Sequence, residues 1–193
     1  MRYLITQEWR KLIRKNMDFY RLERNIIDLI EEQQLKLGYL KETIRLYYPL
    51  ASLNNFLGKK CDEDEMRVLL QQFSDKCQGE LGKVGITNSD ERFCLAIPPE
   101  GAEYVHNRIN KNGFLAQLID AVRHHGCTLE QLLEIFNRHS KSVHMEKMSN
   151  GEFDYLIYFE DGKPDNYRYC VVLEGNHVTY HRYTPEDYKD FGF

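Results

Sequence analysis

Hydrophobic residues in the first part of the chain recur at the three- and four-residue steps of amphipathic helices. The pattern extends from residue 7 to residue 77, and its clearest stretch places Leu22, Ile26 and Ile30 on one helical face. Asp18 is the expected N-cap of this helix, because its side chain can accept hydrogen bonds from the first unpaired amides, and Gly38 is its expected end. The chain is therefore predicted to begin as a helical region.

Prolines and acidic residues divide the remainder of that region into shorter helices. A second helix is predicted over residues 39–48, where Pro49 removes a backbone donor and ends it. Pro49 can itself open a short helix that ends at Gly58. Four acidic residues favour the start of a further helix over residues 62–77, because they lie at the positive end of its dipole. A glycine-rich loop is predicted over residues 79–85.

The central part of the chain is predicted to contain one strand and three helices. Apolar residues alternate over residues 93–97, as in a strand, and two prolines end the pattern. The helices are predicted over residues 99–110, 114–125 and 129–140. Thr128 and Gln131 have the spacing of a capping box at the start of the last helix, since each side chain can bond an unpaired amide of the first turn.

Strand patterns dominate the rest of the chain. Four strands are predicted, over residues 143–148, 153–160, 167–173 and 177–183. Asn150-Gly151 and Gly175-Asn176 are the residue pairs of two-residue hairpin turns. We therefore predict an α+β fold in which N-terminal and central helices precede a C-terminal antiparallel β-meander of about four strands.

The Gly175-Asn176 turn also predicts the register of the last hairpin. The more apolar face, expected to cover the core, pairs Leu173 with Val178, Val171 with Tyr180 and Tyr169 with Arg182. The opposite face, expected to be wetter, pairs Val172 with Thr179, Cys170 with His181 and Arg168 with Tyr183. A slip of one residue would exchange the two faces, so this prediction depends on the turn.

The composition indicates the class of protein, and the distribution of charge divides the chain into two regions. The 193 residues are 42% hydrophobic and carry a net charge of −4, which is ordinary for a globular protein and excludes a disordered or collagen-like chain. Residues 1–60 carry 12 basic and 7 acidic side chains, whereas residues 61–193 carry 14 and 23. We predict a basic helical region (1–60) and an α+β region (61–193) that form one compact domain.

The five cysteines are scattered and include no Cys-x-x-Cys pair, which is typical of reduced thiols in a cytoplasmic protein. No apolar run approaches the roughly 20 residues that span a bilayer, so no membrane span is expected. No cofactor motif is complete, and none is predicted.

Two groups of residues have the spacing of chemically active sites. His124, Cys127, His139 and His144 nearly reproduce the ligand spacing of a zinc finger, although histidines and a cysteine at a helix end and a turn also suit a purely structural role. Cys170 opposite His181 is a thiol–imidazole pair, but no carboxylate on that face would orient the imidazole. A partly buried thiol beside a surface histidine is the alternative.

Two segments suggest nucleic acid or membranes as partners. The helices at 99–110, 114–125 and 129–140 and the following hairpin have the order of a winged helix, but residues 98–160 have more acidic than basic side chains, which disfavours DNA. The amphipathic N-terminal helix presents Arg10, Lys11, Arg14 and Lys15. It could contact an anionic membrane or nucleic acid, but a solvated face of a helix docked on the core is the simpler interpretation.

The C-terminal strands are rich in tyrosine, a residue that suits contact surfaces because it joins an apolar ring to a polar tip. We predict a recognition surface on the wetter face of the last hairpin, formed by Arg168, His177, Thr179, His181 and Tyr183.

The segments at residues 92–101, 153–159 and 180–183 are similar to those of a family of small bacterial proteins of unknown function. The resemblance covers the C-terminal half and implies no activity. Since no catalytic motif is complete, we expect a non-catalytic cytoplasmic binding or regulatory protein that acts through protein contacts or self-association. A winged-helix-like nucleic-acid binder and a metal- or thiol-dependent enzyme are the alternatives.

Overall fold

The structure is a computed structural model that describes the backbone of residues 7–124, 126–149, 151–175 and 177–190, and their side chains from 19 to 189. The chain divides into two compact units, Met1–Ile109 and Asn110–Phe193. The change of charge at residue 60 therefore lies inside the first unit. Within the described residues, no helix combines the length and apolar character needed to cross a bilayer.

The first unit contains helices packed on a small antiparallel sheet. Its elements are α1 (Gln7–Leu37), β1 (Ile44–Pro49), α2 (Leu50–Leu57), α3 (Glu63–Leu81), β2 (Gly85–Ser89), β3 (Arg92–Ile97) and α4 (Pro99–His106). The strand order is β1-β3-β2, so β3 is the central strand. Both of its neighbours pair with it in the antiparallel direction.

The core of this unit lies between the helices and one face of the sheet. The helical spacing that predicted α1 also defines its buried face, because Leu22, Ile26 and Ile30 are completely inaccessible to solvent. Polar contacts add to the apolar ones: the Tyr48 hydroxyl donates to Asn25 Oδ1 at 2.8 Å, and Gln34 Nε2 donates to the Ala102 carbonyl at 2.8 Å. These bonds connect α1 to β1 and to α4.

Three predictions for this region are wrong. Residues 44–49 form β1 instead of the end of a helix over 39–48. Ile44 and Tyr48 are buried, and the exposure of the side chains from one to the other alternates as in a strand. Asp18 lies inside α1, which begins at Gln7, and is not its N-cap. The predicted loop over 79–85 contains the last turn of α3 and the first residue of β2.

The ends of the helices agree more closely with the capping residues and glycines in the local sequence. The Asp62 carboxylate accepts a hydrogen bond from the Glu65 amide at 2.9 Å, and the Glu65 carboxylate accepts one from the Asp62 amide at 3.3 Å, which is a capping box at the start of α3. Gly38 has a φ of 86°, a left-handed conformation that glycine adopts freely, and it ends α1 as predicted. Gly58 ends α2 in the same way, with a φ of 61°.

The second unit places two helices against a four-stranded sheet. Its elements are α5 (Phe114–Arg123), α6 (Leu129–His139), β4 (Val143–Lys147), β5 (Tyr155–Phe159), β6 (Arg168–Glu174), β7 (His177–Tyr183) and α7 (Pro185–Asp190). The strands follow one another in the order β4-β5-β6-β7, all antiparallel. The predicted α+β class and C-terminal β-meander are therefore confirmed.

Aromatic rings fill the space between the helices and the sheet. Phe114 on α5 lies 4.8 Å from Phe136, 4.9 Å from Phe159 and 5.6 Å from Tyr169, measured between ring centroids. The fully buried Tyr169 donates its hydroxyl proton to Asp165 Oδ2 at 2.7 Å, and burial raises the pKa of this phenol well above its usual value. The hydroxyl therefore satisfies its hydrogen-bonding requirement inside the core.

The predicted register of the last hairpin is confirmed at all six pairs, and the Thr128–Gln131 capping box is present at α6. On the core face Val171 and Tyr180 are buried, as expected, but Leu173 next to the turn is 38% exposed, so the prediction is wrong for that residue. Asn150 and Asn176 of the predicted turns lie outside the described residues. One residue of the predicted wetter face does not fit that description, because Cys170 is completely buried.

Two glycines give a test of the packing in the first unit. A Cβ atom on Gly101 of α4 would collide with the carbonyl oxygen of Leu81, whereas a Cβ on Gly79, inside α3, would meet no atom within 4 Å. We expect Gly101→Ala to lower the free energy of unfolding by about 1–3 kcal/mol. Gly79→Ala should raise it by about 0.5–1 kcal/mol, because alanine loses less backbone entropy in a helix. Urea titrations of both variants measure the difference, and a Gly101→Ala variant as stable as the original chain would contradict this packing.

Candidate functional site

The three-stranded sheet of the first unit has one covered face and one accessible face. Along β3, Phe93, Leu95 and Ile97 are completely buried, and the side chains between them point the other way. The accessible face carries a set of polar and aromatic side chains, which we call the open face: Arg45, Tyr47, Thr87, Ser89, Arg92 and Cys94. Tyr47 has 62% of its surface exposed, an unusually large fraction for an aromatic side chain.

The strand register arranges the open face in rows. Tyr47 and Thr87 both pair with Cys94, so these three side chains form the middle row. Arg92 pairs with Ser89 in the row on one side. Arg45 lies in the row on the other side, which places the two arginines about 13 Å apart along the strand direction, from the rise per residue of a strand.

The open face lines a concavity of about 490 Å³. In the row of Arg45 the neighbouring residues are Ala96 and Gly85, which have little or no side chain. Asn88 and Asp90 also line it. The whole concavity is thus formed by β1, β2, β3 and the turn between the last two strands.

Contacts with α3 hold one side of this concavity in place. Asn88 Oδ1 accepts a hydrogen bond from Arg67 Nη2 at 2.7 Å, and Asn88 Nδ2 donates to Glu63 Oε2 at 3.0 Å. Arg67 also lies 3.2 Å from Asp64. The two bonds of Asn88 attach the end of β2 to the first turns of α3, and the contact with Asp64 holds Arg67 within the helix, so the lining is supported by a neighbouring helix.

The chemistry of the lining favours an acceptor-rich ligand. Two guanidinium groups, a phenol and two hydroxyls can all donate hydrogen bonds, and the one carboxylate among the described lining residues belongs to Asp90. Guanidinium groups match the geometry of carboxylates and phosphates. The exposed ring of Tyr47 adds a flat apolar contact between the two arginines.

The predicted recognition surface lies on the second unit, on the face of the sheet opposite the aromatic core. Arg168 pairs with Tyr183, and Cys170 pairs with His181. The Arg168 guanidinium lies 3.8 Å from the centre of the Tyr158 ring. His181 and Tyr183 stack with their ring centroids 6.4 Å apart.

Part of that surface is covered by the chain itself. Phe153 is buried and lies 5.5 Å from His181 and 6.3 Å from Tyr183 between ring centroids. Tyr188 of α7 packs against the same small apolar cluster. Burial raises the pKa of both the Tyr183 and Tyr188 phenols. The tyrosines of this face therefore contribute to a second layer of packing.

His177 and Thr179 lie away from that layer and are exposed. His177 lines a concavity of about 320 Å³ together with Cys127 and Tyr155. The Cys127 thiol is buried, and burial raises its pKa. The predicted surface is thus divided: Arg168, His181 and Tyr183 lie near the covering residues, and His177 and Thr179 lie nearer the turn of the hairpin.

The thiol–imidazole pair has the predicted register but an unfavourable environment for catalysis. Cys170 is completely inaccessible, and burial, followed by the negative charge of Glu152, raises its pKa to about 11. A nucleophilic cysteine requires the thiolate, which positive surroundings favour and burial disfavours. His181 packs against aromatic rings.

The four residues with zinc-finger spacing have separate surroundings. His124 Nδ1 lies 2.7 Å from the Asp120 carbonyl oxygen, and the His139 ring lies 5.6 Å from Phe114 in the core. His144 faces the other side of the sheet, where its ring lies 4.7 Å from Tyr158. Within the described ranges, no three His, Cys, Asp or Glu side chains converge as metal ligands.

The elements of the predicted winged helix are divided between the two units, and the basic residues lie on α1. Of the predicted winged-helix elements, α4 belongs to the first unit, while α5, α6 and the β4–β5 hairpin belong to the second. This division does not favour a single three-helix DNA-binding module. Arg10, Lys11, Arg14 and Lys15 lie on α1, but their side chains are outside the described residues.

The open face is absent from the sequence predictions because β1 was predicted as a helix. A signal was present: Ile44, Leu46 and Tyr48 alternate with polar or exposed positions, and a β-branched threonine precedes them. Pro49 after such a short run is compatible with the end of an edge strand. With β1 assigned as a strand, Arg45 and Tyr47 would share one face.

Residues 19–192 match the family DUF3877, described as a domain of unknown function from an E. rectale gene description. The match confirms the resemblance to a bacterial family of unknown function and extends it to most of the chain. No curated protein matches the sequence, and no solved structure matches it.

The environment of Cys170 can be tested by alkylation. At pH 7.5 a thiol with a pKa of about 11 is thiolate for roughly 0.03% of the time, and burial excludes the reagent as well. We expect iodoacetamide to modify the partly exposed Cys94 and to modify Cys170 only after unfolding, as measured by peptide mass spectrometry. His181→Ala should leave that protection unchanged. Rapid labelling of Cys170 that is lost in His181→Ala would instead support an activated thiol.

Proposed function

This chain belongs to the DUF3877 family, and we propose that it is a non-catalytic binding protein that contacts an acidic segment of a partner protein through its open face. The observation that carries the proposal is the placement of Arg45 and Arg92 on either side of the exposed Tyr47. An aromatic ring exposed between two guanidinium groups is an arrangement that suits a contact with a partner. Tyrosine and arginine are among the residues that are enriched at the centres of protein interfaces.

The charge of the open face supports an acidic partner. Its two guanidinium groups lie at opposite ends, and hydroxyl donors of Thr87 and Ser89 lie between or beside them. An extended segment with carboxylates near each end can meet one arginine with each group while its central side chain rests on Tyr47. Such bidentate contacts are directional, so they would select the position as well as the sign of the charges.

Nucleic acid is a less suitable partner for the same face. Binding to a polyanion takes most of its affinity from many phosphate contacts by lysine and arginine. The open face provides two arginines, opposed by Asp90, on a chain whose net charge is −4. Two separate carboxylates match this limited charge better than a continuous phosphate backbone.

We also propose a cytoplasmic location. All five cysteines are free, and Cys94 lies on the open face where oxidation would reach it. Free, accessible thiols are typical of reducing compartments. Fluorescent tagging in cells that express the full chain would place it directly.

The proposed function is tested by selecting a displayed library of random peptides on the full chain. We expect the selected peptides to be enriched in Asp and Glu. Arg45→Ala and Arg92→Ala should each weaken their binding by roughly tenfold or more, because a hydrogen bond to a charged group contributes about 1.5–3 kcal/mol. Tyr47→Ala should weaken it by a similar factor, and fluorescence anisotropy measures all three.

Lys111→Ala is the matched control, since it removes one exposed positive charge outside the open face and should leave the affinity unchanged. Circular dichroism and urea unfolding establish that the variants fold. Peptides without acidic enrichment, or peptides that bind all variants equally, would overturn the proposal. Labelled single-stranded RNA is measured in parallel, and RNA binding that depends on Arg45 and Arg92 would assign the face to nucleic acid instead.

A further inference from the structure

The strand β1 lies at the edge of the three-stranded sheet, and its backbone pairs with β3 on one side. Opposed residues of antiparallel strands alternate between pairs that exchange both backbone hydrogen bonds and pairs that exchange none. Leu50, which follows β1, donates its amide hydrogen to the Glu91 carbonyl at 2.7 Å, and these residues are opposite each other when the register is continued. Counting back in steps of two, Tyr48, Leu46 and Ile44 are the residues bonded to β3.

The residues between them direct their backbone groups away from β3. Arg45 and Tyr47 each present an amide hydrogen and a carbonyl oxygen at the outer side of β1. Pro49 agrees with this assignment, because it has no amide hydrogen and could not complete a bonded pair with Arg92. In the part of the chain that the structure describes, these backbone groups of Arg45 and Tyr47 have no hydrogen-bond partner. The outer edge of β1 is therefore open to a further strand.

The residues with open backbone groups also carry side chains of the open face. Arg45 and Tyr47 are both exposed and both line the concavity. Opposed residues of antiparallel strands share a face, so a residue bonded to Tyr47 would place its side chain beside the Tyr47 ring. The next residues of the same strand would point to the other face, beside the half-buried Leu46. One added strand would thus contact the edge and the open face together.

The two arginines determine the spacing of acidic residues in such a strand. A residue opposite Arg45 and a residue opposite Pro49 are four positions apart, with the residue opposite Tyr47 halfway between them. Pro49 continues the row of Arg92. Its ring is short, so the Arg92 guanidinium can extend over it toward the added strand. Carboxylates at the two outer positions would therefore each meet one arginine.

We propose that the acidic partner segment joins β1 as a fourth, antiparallel strand, with acidic residues at its positions i and i+4 and a large side chain at i+2. This inference rests on the proposed function and adds to it the mode of binding and the sequence motif of the partner. In complexes formed by strand addition, main-chain hydrogen bonds provide affinity and alternate side chains provide specificity.

A second copy of this chain is a less suitable occupant of the edge. If two β1 strands paired through their open backbone groups, Arg45 of each copy would lie opposite Tyr47 of the other. The two Arg45 side chains would then be diagonal neighbours on one face, where their positive charges repel. An acidic strand compensates these charges, so the charge of the edge favours the partner segment.

Amide hydrogen exchange of the full chain, measured by nuclear magnetic resonance, tests the edge without any peptide. We expect the amides of Leu46 and Tyr48, which bond to β3, to exchange about tenfold or more slowly than those of Arg45 and Tyr47. Slow exchange of Arg45 and Tyr47 in the chain alone would show that the edge is already covered and would overturn the proposal. Sedimentation velocity is run on the same sample, and a dimer with these amides protected would assign the edge to a second copy.

The probe for binding is the synthetic peptide Thr-Asp-Val-Tyr-Val-Asp-Thr, which has the proposed spacing. In the antiparallel register the amide of its tyrosine points at β1, whereas the amides of its valines point away. We expect methylation of the tyrosine nitrogen to weaken binding about tenfold or more, because a hydrogen bond is lost and the methyl group separates the strands. Methylation of one valine nitrogen is the matched control and should leave the dissociation constant, measured by fluorescence anisotropy, unchanged.

The outcomes separate this inference from the proposed function. If acidic peptides selected on the chain depend on Arg45 and Arg92 but the probe does not bind, or if both methylated probes bind equally, the proposed function stands and strand addition is wrong. Loss of binding with methylated valine alone would overturn the antiparallel register. If the selection yields no acidic peptides, the proposed function fails. Protection of the Arg45 and Tyr47 amides by the unmodified probe, together with sensitivity to methylated tyrosine, would support the fourth strand.

Discussion

The alternation of side chains along β3 is the constraint on which the first unit depends. Phe93, Leu95 and Ile97 have no exposed surface, so the strand cannot shift by one residue without moving its entire apolar set into water. The same pleat directs Arg92 and Cys94 to the other side, where β1 and β2 add Arg45, Tyr47 and Thr87. The burial of one face therefore fixes which positions lie on the open face and how far apart they are.

The two units use their sheets differently. In the second unit, helices α5 and α6 supply the rings that cover one face, while Phe153 and Tyr188 pack on the other. Both faces of that sheet thus contribute to stability, and its tyrosines are largely part of the packing. In the first unit, helices α1 and α3 contribute to the core on one face, and the other face presents donors to solvent. Polar recognition is better suited to a face that the fold does not need to bury.

Residue type alone did not separate these two uses of tyrosine. The sequence prediction placed recognition at Tyr183 and its neighbours because tyrosine is dense there, yet Tyr183 is half-buried under Phe153. Tyr47 carries no such signal, because residues 39–48 are predicted as a helix and tyrosine is not concentrated on one face there. What distinguishes the two is the presence of a covering layer, and that layer comes from residues outside the strand that carries the tyrosine. The same is true of Cys170, whose burial depends on residues of a loop and of α7.

Local patterns were sufficient for the elements whose determinants are adjacent in sequence. The capping box of α6 spans four residues, and the register of β6 with β7 follows from one two-residue turn, so both were predictable from the sequence. The β1 strand was not predictable, because its partner is β3, more than 40 residues further along the chain. In addition, the apolar spacing of a run of only six residues is compatible with either a helix or a strand. Pairing at that distance depends on how the helices and strands pack. The tertiary structure alone therefore decided which side chains remain open to solvent and which are covered.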